Sequence, residues 1–159
     1  MDLPEPVAHA VAPLLQSLPL DRAMPELVVV ETPGNDMAGM VETMLRDATL
    51  RDRPELKAGL WLYVDQLDRS HTESQGLDDA TGAFWHGIMH RREGDFSNSH
   101  YWFNRVGRHP VMDQIDDYDG HAFIDEVEAV IRKGRADEAL VERQRREWVA
   151  LFEWCARNG

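Results

Sequence analysis

Apolar positions recur along most of this chain at i, i+3, i+4 and i+7, the spacing that lines one face of an α-helix. Val7, Val11, Leu14, Leu15 and Leu18 form the first such face, on a short helix that Pro13 is expected to interrupt or bend. From Pro19 to Pro33 the pattern changes. Three prolines stand around Leu27, Val28, Val29 and Val30, which could form a short extended segment or an edge strand and reads as extended packing. Asn35 or Asp36 then caps a helix carrying Met37, Met40, Val41, Met44, Leu45 and Ala48. Pro54 suits a helix start, and Leu56, Leu60, Tyr63, Val64 and Leu67 continue one face as far as His71.

The polar segment Thr72 to Gly76 ends that helix. A further helix is predicted from about Leu77 to Glu93, closed by Gly94, and Asp95 caps the next, from Phe96 to about Val106. So short a connection makes the two a tight antiparallel hairpin. Phe123, Val127, Val130 and Ile131 mark another helix, and Leu140, Gln144, Trp148, Leu151, Phe152 and Cys155 stripe a long last one. The expected architecture is all-α, a compact bundle of six to seven helices. With no candidate linker and 159 residues, one helical domain over 1–159 is expected.

Composition adds limits rather than a function. The chain is 43% hydrophobic with five Trp and seven Met, enough for a sizeable core. Its 17 Lys and Arg against 29 Asp and Glu give a formal charge of −12, which repels nucleic acid and anionic membrane surfaces. No run approaches the roughly 18 apolar residues of a membrane span. Met1 to Pro6 carries no basic segment of an export signal, and the single Cys155 cannot form an internal disulfide, so a cytoplasmic location is expected.

Residues 83–110 resemble one tetratricopeptide repeat. Gly87 lies midway along the first helix and Gly94 at its end, while Phe96, Ser99 and Phe103 follow in the second and Pro110 comes just after it. The resemblance implies that Gly87 and Ser99 let the two backbones approach closely. It also implies that His86 and His90, standing where the repeat places large apolar residues, face inward. No second copy occurs at the repeat spacing, so an array is not expected. The wider run from His71 to Arg108 is similar to an uncharacterised bacterial family of small all-α proteins, a resemblance that implies no activity.

Candidate chemistry gathers around that hairpin. His86, His90 and Glu93 at i, i+4 and i+7 share one helix face, a spacing that suits two imidazoles and a carboxylate on one divalent metal such as zinc, or an acid and base pair. His71 ends the preceding helix and His100 sits on the following one, so three helices are placed to converge imidazoles. Arg91 or Arg92 is the candidate for pairing an anionic group of a ligand. Trp61, Trp85, Tyr101, Trp102 and Phe103 are candidate walls, and Tyr101 and Trp102 cannot both point into the hairpin. A structural network of satisfied imidazoles explains any one histidine equally well. Four histidines, two arginines and a glutamate within about thirty residues favour a pocket, because burying so many polar groups is costly. The leading expectation is a small enzyme or binding protein for a small polar or anionic ligand. The alternative is an interaction module, or a homo-oligomer, that uses the hairpin and its aromatics.

Other signals fall away. Asp117, Asp119, Gly120 and Glu126 mimic part of a calcium loop, but Ile115 holds the first ligand position, so turn and cap chemistry is expected there. No glycine-rich phosphate loop and no serine nucleophile elbow occur, and Cys155 sits on an apolar stripe that argues for burial.

Overall fold

A computed structural model of the chain describes residues 1–34 and 36–159; of the two candidate caps of the second helix, Asn35 lies outside these residues. Eight α-helices and no strand occur among the described residues. In chain order they are α1 (Glu5–Ser17), α2 (Asp36–Met44), α3 (Pro54–Tyr63), α4 (Leu67–Ser74), α5 (Ala80–Glu93), α6 (Phe96–Val106), α7 (Gly120–Arg132) and α8 (Glu138–Asn158). A short 3-10 turn, Pro110–Gln114, lies between α6 and α7. The class is as expected and the count is one or two higher.

The extra helix comes from a break that hydrophobic spacing does not register. The expected helix from Pro54 to His71 ends at Tyr63, Asp65 takes a positive φ of 61°, and α4 restarts at Leu67. Arg92 explains the break. Its guanidinium donates to the Leu62 carbonyl (2.9 Å) and to the Asp65 carboxylate (2.6 Å), holding the chain on both sides of the break. Pro13 lies inside α1, which runs unbroken to Ser17 instead of being interrupted. The Leu27–Val30 segment is irregular rather than a strand. Its neighbourhood is held by side chains that satisfy backbone carbonyls: Arg145 bonds Ala23, Gln144 bonds Met24 and Glu26, and Arg92 bonds Glu26.

Helix α5 is the centre of the molecule, with every residue from Gly82 to Arg92 buried. Asp79 caps it by accepting from the Gly82 amide, so the helix starts at Ala80, three residues later than predicted. Gly94 closes it in the left-handed conformation at φ 85°, and Asp95 then caps α6 through the Asn98 amide. The resulting hairpin is close. Ser99 Oγ donates to the Gly87 carbonyl at 2.6 Å, and a Cβ on Gly87 would lie 2.5 Å from the Phe103 ring. A Cβ on Gly120, at the start of α7, would meet the other edge of the same ring at 2.5 Å. Helix α8 closes the far side, where Trp148 donates to the Gly59 carbonyl at 2.7 Å and Phe152 stacks on Trp148.

Candidate functional site

Helices α4 and α5 bring three histidines together. Ser70 Oγ bonds the Ala58 carbonyl at 2.9 Å, pinning α4 to α3 so that His71 projects toward α5. There its ring centroid is 4.9 Å from that of His86 and 5.4 Å from that of His90. One ring nitrogen from each of the three residues lies within 4.8 Å of the others. His86 is only 2% exposed, and neither of its nitrogens makes a hydrogen bond of ordinary geometry among the described residues. Its ring stacks on Trp102 with centroids 4.0 Å apart. Burial, followed by the neighbouring His71 and His90, lowers its pKa to about 4, with the Gly82 backbone opposing. His90 is also held below the usual imidazole range by burial, against the pull of Glu93. Both rings are therefore neutral near pH 7, the state in which a histidine ligates metal.

Glu93 takes a different place from the one expected. Its carboxylate lies 3.2 Å from His90 Nδ1 with its side chain 43% exposed, while His71 supplies the third donor beside His86 and His90. Helix periodicity aligns residues of one helix but carries no information about a donor from the helix packed alongside. Asp95 stands near the His90 and Glu93 pair. Asn98 approaches His90 at 3.3 Å, and Gln75 approaches His71 at 3.1 Å.

Arg91 and Arg92 do not serve the cluster. Both guanidinium groups are wholly buried: Arg91 forms two hydrogen bonds to Glu147 and lies over Phe123, and Arg92 holds Asp65 and two backbone carbonyls. Each turns to a neighbouring helix or loop because one residue of rotation on a helix moves a side chain by about 100°. His100 is likewise elsewhere. Its Nε2 meets the Asp125 carboxylate at 3.0 Å and its Nδ1 meets His121 Nδ1 at 2.7 Å. The two ring planes differ by 5°, and a nitrogen separation shorter than a stacking contact sets the rings edge to edge, sharing one proton. This chain ties α6 to α7.

Of the aromatic candidates, Trp102 faces the histidines, whereas Tyr101 points out and is 53% exposed. Trp61, Trp85 and Phe103 are core. Trp102, His71 and His86, with Gln75 and the Leu77–Ala80 turn, wall a cavity of about 250 Å³ whose rim carries Arg105. Arg105 was not singled out in the sequence, although its i+3 spacing from Trp102 puts the two on one helix face. Cys155 is buried, and burial pushes its thiol up to about 12, which removes it as a nucleophile. Asp119 caps α7 through the Ala122 amide, as the reading of that acidic segment required.

No protein-family model matches the chain, and neither a curated protein nor a solved structure matches it. No helix among the described residues is long and apolar enough to cross a membrane.

Proposed function

We propose that the protein binds a divalent transition metal such as zinc through His71, His86 and His90, and a small polar or anionic molecule in the adjoining cavity. One observation carries the reading: the imidazole of His86 is buried with no hydrogen bond of ordinary geometry to either nitrogen, the Gly82 backbone being a polar neighbour on the same helix, beside two further histidine donors. An unsatisfied buried polar group costs about 1–3 kcal/mol, and a histidine network kept for stability alone would satisfy its members. Ligation of a metal satisfies His86 and draws the three nitrogens together.

The surroundings favour the same assignment. Glu93 on Nδ1 of His90 fixes the tautomer, an arrangement common around zinc, and the Nε2 lone pair, which the Asn98 amide approaches at 3.3 Å, is the one a metal would take. Three imidazoles would hold the metal, and the metal would supply Lewis-acid activation of water near neutral pH. Hydrolysis or proton transfer on a small molecule is the chemistry this supplies. His86 and His90 act as ligands rather than as acid and base, and Glu93 positions His90.

Elemental analysis of protein made without a metal-affinity tag tests the assignment. One zinc per chain is expected, lost in His86→Ala and in His90→Ala, with zinc raising the thermal midpoint of the wild type alone. Metal-free wild-type protein whose midpoint zinc leaves unmoved would return the histidines to a structural role.

A further inference from the structure

We infer that the cavity beside the histidines takes a monoanionic oxyanion, most simply a carboxylate, whose charged group is shared between the metal position and Arg105. The inference rests on the metal reading above and names the ligand class of the same site.

Arg105 is the only permanent cation among the residues that line the cavity. It makes no ion pair with a carboxylate among the described residues, unlike Arg91 and Arg92. Its guanidinium instead lies 5.4 Å from the centroid of the Trp102 ring and 6.0 Å from that of Tyr101. Aromatic faces hold a guanidinium in place without consuming its hydrogen-bond donors. An arginine held that way at the mouth of a cavity is preset for an oxyanion, which it can engage with two parallel N–H donors. Trp102 links the two ends of the site, since it also stacks on His86.

The remaining charges set the valence. Asp78 and Asp79 also line the cavity, and Asp79 already spends one oxygen on the α5 cap. A second negative charge on the ligand would face these carboxylates, so one negative charge is favoured over two. The volume of about 250 Å³ lies below the range for drug-sized ligands and suits a small metabolite.

Cobalt-substituted protein titrated with acetate, acetamide and sulfate, followed by the visible absorption of cobalt, separates the possibilities. Saturable spectral change with acetate is expected, with acetamide and sulfate each binding more weakly. Arg105→Gln should leave the cobalt content unchanged and weaken acetate about ten-fold or more, with Arg105→Lys falling between. Cobalt bound normally but acetate affinity equal in Arg105→Gln and wild type would overturn the inference while the metal centre stands. Acetamide or sulfate binding as tightly as acetate would overturn the ligand class. Wild-type protein that takes up no cobalt would overturn the metal centre, and this inference with it.

Discussion

His109 shows how one side chain can be held in a single protonation state by its neighbours. Its Nδ1 accepts from the Val111 amide at 3.2 Å, so the proton of the neutral ring sits on Nε2 and is donated to Thr81 Oγ1 at 3.1 Å. Burial lowers its pKa, with Asp79 opposing. Protonation would set an N–H against the Val111 N–H. The unfolded chain takes up that proton at about pH 6.5 and the folded one only at lower pH, so this contribution is complete above about 6.5 and is lost as pH falls below it. Urea unfolding of metal-free protein between pH 8 and pH 5.5, pH values chosen to bracket roughly the free imidazole pKa, should show a smaller acid loss in His109→Asn. That variant keeps an acceptor for Val111 but cannot titrate. Equal pH slopes in the two proteins would remove His109 from the acid sensitivity. His86 was legible as a candidate from its spacing to His90, whereas its lack of a hydrogen bond of ordinary geometry was not, because that depends on every group packed around it.

Between elements, the hairpin and the start of α7 meet on one phenylalanine ring. Gly87 and Gly120 contact opposite edges of Phe103, so α5, α6 and α7 approach only as closely as two missing methyl groups allow. Gly87→Ala gains up to about 1 kcal/mol of helix propensity, but the new methyl must displace the ring, at about 1–3 kcal/mol. Net destabilisation is expected in chemical unfolding, and Phe103→Leu in the same chain should cost less than the sum of the two changes. Additivity would mean that the glycine and the ring do not compete for space. Gly87, Gly94 and the cap at Asp95 were readable as residue types at meaningful spacings, whereas the cap at Asp79 was not, since the apolar pattern carries the helix back to Leu77. The division of Pro54 to His71 into α3 and α4 was not, since Leu60, Tyr63, Val64 and Leu67 stay on one side of either arrangement while the cause, Arg92, lies on α5.

Across the molecule, a buried charged network joins the central helix to its surroundings. Arg91 on α5 forms two hydrogen bonds to Glu147 on α8, and Tyr118, just before α7, donates to the same carboxylate at 2.5 Å. Both charged side chains are fully buried. Glu147→Gln preserves shape and leaves the Arg91 charge uncompensated, so a loss of about 3–5 kcal/mol is expected in urea unfolding, whereas replacing both residues by methionine should cost much less. Equal losses in the single and the double variant would mean that packing rather than charge sets the effect. Arg91 also marks the boundary of what a linear reading can deliver. Periodicity, caps and prolines depend on residues a few positions apart, and they sufficed for the helical class, the hairpin and the histidines at positions 86 and 90. Partners drawn from 27 or 56 residues away depend on how the helices pack. That packing sent Arg91 to Glu147, Arg92 to Asp65 and His100 to His121, and it brought His71 and Arg105 to the histidine cavity instead.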